Sequence, residues 1–120
     1  MFINFSNHPF ARWSEEQKAA AVAMGGEVVD MAFPAVPSTA TTAEVEAMAD
    51  KAVADIAAMK PAAVLCQGEM TLAFAVVTRL KELGIPVVAA CSDRKTVERQ
   101  LPDGTSEKTA VFQFAQFRAY

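Results

Sequence analysis

Apolar positions along this chain switch between two periods, and the switches outline alternating strands and helices. Residues 1–6 open with an almost unbroken apolar run, Met1-Phe2-Ile3-Asn4-Phe5, of the kind a buried strand carries. A helix is predicted over 14–24. Ser14 is a good cap, Glu16 and Gln17 furnish the acidic and capping-box side chains of the first turn, and Gly25-Gly26 end it. Residues 27–32 form a second strand. Phe33-Pro34-Ala35-Val36-Pro37 is then a stiff extended connection, because each proline fixes its own φ and pushes its predecessor out of the helical region. Thr42 caps a helix over 43–59 whose apolar residues, among them Val45, Ala49, Ala52, Val53 and Ile56, make the one-sided stripe of a helix lying on a sheet. Residues 62–66 are a continuous apolar run, a helix follows over 70–83 up to Gly84, and 85–91 is a second doubly buried run. The alternation then stops. Residues 95–101 and 107–118 read as two strands joined around Pro102-Asp103-Gly104, a strong turn signal, and predict an antiparallel hairpin that extends the sheet at one edge.

This order predicts an α/β fold: a Rossmann-like, doubly wound three-layer sandwich over residues 1–120, with right-handed crossovers, a mainly parallel sheet in the order 2-1-3-4 and a C-terminal antiparallel hairpin. In such sheets ligands bind beyond the carboxyl ends of the strands, at the switch point between strands one and three. The 24 alanines suit the close helix-on-sheet packing of that architecture.

Composition narrows the function classes. A length of 120 residues suits one domain, and 52% hydrophobic residues exclude a disordered chain. Two cysteines exclude a disulfide-stapled scaffold; Cys66 and Cys91 end apolar runs and read as small buried thiols in a reducing compartment. No stretch approaches the length of a membrane span and no basic-then-apolar signal opens the chain, so a cytoplasmic location is expected. The net charge of −3 supplies no global field for duplex DNA or anionic lipid, but leaves room for a small charged ligand held by a few local donors. With one histidine and two distant cysteines no metal site is expected. Without a Walker A loop, a G-x-G-x-x-G fingerprint or a G-x-S-x-G elbow, neither ATP hydrolysis nor NAD chemistry nor a serine nucleophile of the elbow type is expected.

Four polar stretches fall at the predicted carboxyl ends: Ser6-Asn7-His8-Pro9, Phe33-Pro34, Gln67-Gly68-Glu69-Met70-Thr71 and Ser92-Asp93-Arg94-Lys95. His8 can give or take a proton near neutrality, or cap a backbone group as an ordinary loop residue. Asn7 can orient His8 or bind a ligand. Gln67, Gly68, Glu69 and Thr71 open a helix. Gly68 would let a ligand approach the backbone, the free amides would suit an anion, and Thr71 adds a hydroxyl. Glu69 argues against a bare phosphate there; it reads as a contact to a ribose hydroxyl or adenine amine, as a base, or as the usual acidic residue of a first turn. Beside Ser92, Arg94 and Lys95 can hold a phosphate, or Asp93 can pair with Arg94 at a solvated start of the hairpin. Trp13 reads as a base-stacking side chain or as a staple on the core. Phe112, Phe114 and Phe117 read as edge-strand packing or as a dimer surface.

The stretches Phe5-Ser6-Asn7-His8-Pro9, Leu65-Cys66-Gln67-Gly68-Glu69-Met70-Thr71 and Ala90-Cys91-Ser92-Asp93-Arg94 together resemble the small single-domain Rossmann-like proteins associated with CRISPR systems, relatives of CARF domains and of the ring nucleases of type III antiviral defence. The resemblance implies a homodimer that binds a cyclic oligoadenylate across its two-fold axis. It also implies metal-independent cleavage, in which a ribose 2′-hydroxyl attacks the adjacent phosphate and leaves a 2′,3′-cyclic phosphate. In that reading Asn7 and His8 face the ligand, Gln67, Gly68, Glu69 and Thr71 grip it, and Ser92 and Arg94 contact phosphate. Two other classes share the same rim: a nucleotide-binding module without catalysis, and a nucleoside-processing enzyme with Glu69 as nucleophile or base.

Overall fold

The predicted strand and helix stretches build one five-stranded sheet in the order β2-β1-β3-β4-β5. The computed structural model describes residues 1–120. The strands are β1 (Phe2–Ser6), β2 (Val28–Ala32), β3 (Ala63–Cys66), β4 (Val87–Gln100) and β5 (Ser106–Ala119); the helices are α1 (Glu15–Gly25), α2 (Thr42–Ala58) and α3 (Met70–Glu82). The first four strands run parallel, as expected for strands joined by helical crossovers. β5 returns antiparallel to β4 around a tight turn in which Gly104 takes a positive φ and Asp103 accepts from the Thr105 amide and hydroxyl.

The helices divide between the two faces of the sheet. On one face α2 and α3 cover a 17-residue apolar cluster with Ile3, Phe5, Ile56, Leu72, Val76 and Leu80 at its centre. Thr41, rather than Thr42, caps α2 in a reciprocal capping box with Glu44. Arg79 on α3 binds both Glu46 and Asp50 of α2, tying the two helices across their solvent side. The other face carries only α1, and its cluster has six buried residues, among them Phe2, Trp13, Ala21 and Leu65. Ser14 caps α1 by accepting from the Gln17 amide. α1 can seat closely because Gly25 lies against the start of β1; a Cβ there would meet the Phe2 nitrogen at 2.7 Å.

One predicted boundary is corrected. The strands expected over 85–91 and 95–101 are a single 14-residue strand, β4, so Ser92-Asp93-Arg94-Lys95 is no loop. Nothing in 87–100 breaks an extended chain, since the stretch holds neither glycine nor proline, and β5 pairs with it along almost its whole length. The expected double burial of 85–91 holds for Val87 and Val88 only; Ala89, Ala90 and Cys91 are half-buried. From Ser92 outward the ribbon leaves the body and is exposed on both faces as far as Gln113. The resulting extents are 56 × 37 × 21 Å and the radius of gyration is 17.2 Å, against about 14 Å for a globule of this length. A bulge between Cys91 and Ser92 marks the point of departure.

Candidate functional site

Side-chain alternation in the first strand builds the floor of the site. Ile3 and Phe5 point to the large core, so Phe2, Asn4 and Ser6 point to the α1 face. Register places Asn4 between Asp30 on β2 and Leu65 on β3. Along β1 the α1 face is therefore apolar at Phe2 and polar at Asn4 and Ser6, with Asp30 beside Asn4. Asn4 is 1% exposed, a buried amide inside a run that reads as apolar. Both its donors and its acceptor oxygen are engaged: Nδ2 donates to the His8 carbonyl and to Asp30 Oδ1, both at 2.8 Å, and Oδ1 accepts from Ser6 Oγ at 2.6 Å.

Above this floor a cleft of about 500 Å³ opens at the carboxyl ends of β1 and β3 and beside the Ala90–Ser92 stretch of β4. Ser6, His8, Arg12, Gln17, Gln67 and Ser92 supply its polar groups, and Trp13, Leu65, Ala90, Phe112 and Phe114 its apolar walls. Its volume lies within the usual range for small-molecule sites, about 300–1,000 Å³. It also lies where the chain's connections part, β1 leading to β2 on one side while β3 leads to β4 on the other.

The cleft gathers three of the predicted residues. The His8 loop is held entirely through its main chain. The His8 carbonyl accepts from Asn4 Nδ2 and from Trp13 Nε1 at 2.9 Å, and the His8 amide donates to Ser6 Oγ at 3.2 Å, which leaves the imidazole exposed at the cleft and outside this network. Gln67 imitates one more residue pair of the sheet: its Oε1 accepts from the Ala90 amide at 3.1 Å and its Nε2 donates to the Ala90 carbonyl at 3.5 Å. This bridges β3 and β4 where they diverge, since only Val64 and Leu65 pair with β4. Ser92 stands on the cleft wall opposite Phe114 of β5.

The other predicted residues stand elsewhere. Asn7 is exposed on the loop, does not line the cleft and does not bind His8. Arg94, opposite Phe112, shares the Ser92 face one step out along the ribbon, whereas Lys95, opposite Val111, points to the other face. The two cations thus cannot act as one pair, and Asp93, also on the other face, does not pair with Arg94. Gly68 is occupied from behind. A Cβ there would meet the Phe33 ring at 2.5 Å, so the missing side chain admits Phe33 rather than a ligand. Gly68 lines a smaller cleft, about 290 Å³, with Phe74 and Tyr120 on the α3 side. Thr71 borders a groove of about 560 Å³ between α2 and α3; its charged residues Glu46 and Arg79 bind each other, which makes it poorer in free polar groups than the His8 cleft despite its size.

Glu69 has turned inward as the cap of α3. Its carboxylate accepts from the amides of Thr71 and Leu72 at 3.0 and 2.8 Å and from the Thr71 hydroxyl at 2.7 Å. The Thr71 hydroxyl, followed by the two amides, holds its carboxyl below the usual glutamate range. A group whose folded pKa is depressed stabilises the fold above its unfolded pKa and loses that effect as pH falls through the folded value. Glu69→Gln is therefore expected to lower the unfolding temperature at pH 7 and to narrow its gap from the parent progressively below pH 4.5. Thermal unfolding at a series of pH values checks this, and a gap that does not narrow at all as pH falls below 4.5 would remove the carboxylate from the cap.

Several contributors carry little signal in the sequence. Arg12 ends a short 3-10 turn over Phe10–Arg12 and brings a cation to the cleft; its signal is its place two residues before the Ser14 cap. Asn4 and Asp30 are announced only by period two across paired strands. Trp13 is 7% exposed, edge-on to Phe2 and near Phe117, and so serves as the staple of the α1 face. Phe117 packs on Phe2 and Phe114 on Phe117, whereas Phe112 is 75% exposed. Cys66 is fully buried, with its thiol pushed up to about 12 by desolvation, and its carbonyl accepts from the Tyr120 hydroxyl at 2.7 Å. No helix is long and apolar enough to cross a membrane.

A comparison with curated proteins finds no match. Among protein families, residues 1–118 match the one described as "Uncharacterized protein MJ1673 family", a span that takes in every helix, all of the sheet but Ala119, and all the residues of the His8 cleft. The chain belongs to the MJ1673 family.

Proposed function

We propose that this chain binds a cyclic oligoadenylate in the His8 cleft and opens the ring without a metal, as the likeness to the CRISPR-associated ring nucleases implies. The reading takes the sheet as Rossmann-like and doubly wound, with the cleft at its switch point. The observation that carries it is the meeting, in one cleft, of an unengaged imidazole, an arginine and an aromatic wall. The ribose 2′-oxygen attacks the adjacent phosphorus, the bond from phosphorus to the 5′-oxygen breaks, the 2′-proton passes to solvent, and His8 as imidazolium protonates the departing 5′-oxygen. Arg12, with Arg94 further along the ribbon, offsets charge on the phosphoryl oxygens. Phe112 and Phe114 offer faces on which a base stacks. Gln67 and Ser92 complete the polar lining. A ring of several nucleotides exceeds one cleft of this size, so the proposal includes a homodimer with two clefts facing one ligand.

Incubation with cyclic tetra- and hexa-adenylate in EDTA, followed by chromatography, tests this. Linear products ending in a 2′,3′-cyclic phosphate are expected, and no linear product from any ring size would overturn the catalytic part. A second reading, binding without turnover, draws on the engagement of Glu69 with the α3 amides outside the cleft, which leaves no carboxylate in the cleft to act as a base. A thermal shift by the same rings in the absence of product would favour it; at 100-fold its Kd a ring would add about 2.7 kcal/mol. The same engagement of Glu69 removes the support for a nucleoside-processing enzyme built on that carboxylate.

A further inference from the structure

The three polar side chains beneath the cleft bind something other than the sheet. Asn4 is paired through its main chain on both sides, Ser6 and Asp30 pair through theirs with the neighbouring strand, so the sheet needs none of the three side chains, and the neighbours Phe2, Ile3 and Phe5 show that apolar side chains suit β1. Outside their own cluster these groups reach the main chain of the loop after β1. Asn4 Nδ2 meets the His8 carbonyl, Ser6 Oγ lies 3.2 Å from the His8 amide, and both Asp30 carboxylate oxygens accept from the Phe10 amide, at 3.0 and 3.4 Å. Trp13 Nε1 closes the fourth side on the His8 carbonyl. Neither Asn4 nor Asp30 lines the cleft.

We infer that Asn4 and Asp30 are positioning residues, which clamp the main chain from His8 to Phe10 and so aim the imidazole into the cleft. This deepens the reading of the cleft as a catalytic site and rests on it. The physical logic is that of a fixed reacting group: the imidazole sits on a loop, and only a loop held at several points keeps its side chain within reach of one departing oxygen. Asn4 supplies the buried end of the clamp. Asp30 supplies the outer end, with one carboxylate oxygen shared between Asn4 and the Phe10 amide.

The test uses the full chain with Asp30→Ala and Asp30→Asn. The asparagine keeps an acceptor oxygen where the carboxylate had one, so it separates geometry from charge. Backbone ¹⁵N relaxation and steady-state ring cleavage are measured on the same samples, with thermal unfolding confirming the folded state. Asp30→Ala is expected to lower the order parameters of the His8, Phe10 and Ala11 amides from about 0.85 to below about 0.6, leaving the strands unchanged. It is also expected to reduce kcat by about 100-fold, the scale of a small misplacement, with KM altered less than about threefold. Asp30→Asn restores both to near the parent values. A loop that stays rigid in Asp30→Ala, or a failure of Asp30→Asn to restore its rigidity, would overturn the inference. If the parent protein opens no ring, the relaxation measurement still decides whether the clamp exists, and only the catalytic reading of the cleft falls.

Discussion

His8→Ala is expected to slow ring opening by about 10²–10⁴-fold, the usual contribution of a positioned general acid, while ring affinity stays within about threefold of the parent. The separation of the two effects follows from how the loop is held. Every hydrogen bond that fixes it at His8 uses the carbonyl or amide of that residue, both of which alanine retains. The exposed imidazole contributes nothing to the core, so the unfolding temperature should not move. Single-turnover cleavage, equilibrium binding and thermal unfolding on one preparation check the three parts. Turnover retained at the parent rate would remove His8 from the chemistry. Turnover and affinity lost together would mean that the imidazole binds the ring rather than protonating it.

Strand order and the returning hairpin are legible in the sequence because they depend on patterns that survive averaging: two periods of hydrophobicity, two helix caps and one Pro-Asp-Gly turn. The site is less legible, for three physical reasons. First, one polar residue in a five-residue apolar run does not disturb its average, so Asn4 is hidden although its neighbours Ile3 and Phe5 already fix which face it must take. Second, a local stretch cannot reveal where a flexible carboxylate turns. Glu69 stands next to two residues with amides and a hydroxyl to offer, and it takes them. Third, the end of a strand is set by its partner. Ser92 to Lys95 continue β4 because β5 runs beside them, and that continuation sends Arg94 and Lys95 to opposite faces. Trp13 is legible as a staple because its position, just before a capped helix, is itself a local pattern.

The ribbon adds a structural consequence. A two-stranded ribbon with both faces in water is marginal on its own, and this one is joined to the sheet through Ala89–Cys91 and through the packing of Phe114 on Phe117, which itself lies against Phe2 and Trp13. Its inner end forms a wall of the cleft. The aromatic wall and the ribbon are thus one element, and any ligand that stacks on Phe114 also holds the base of the ribbon.

The Phe33–Gly68 pair carries the largest expected effect on stability. Phe33 is 6% exposed and packs on Phe5 with ring centroids 4.9 Å apart. Phe33→Ala should cost about 3–5 kcal/mol, the range for removing a buried aromatic side chain. Gly68→Ala alone should cost about 1–3 kcal/mol, because the new methyl meets a ring that Phe5 prevents from retreating. The diagnostic result is the double variant. With Phe33 truncated, the methyl added at position 68 enters vacated space, and the backbone there needs no positive φ. Gly68→Ala should then be neutral or slightly stabilising, giving a coupling of about 1–3 kcal/mol between the two sites. Urea unfolding of the four proteins measures it. Equal cost of Gly68→Ala in both backgrounds would break the steric account. A Gly68→Ala protein as stable as the parent but unable to bind the ring would return this glycine to the role its Gln-Gly-Glu setting suggests, a place where ligand and backbone meet.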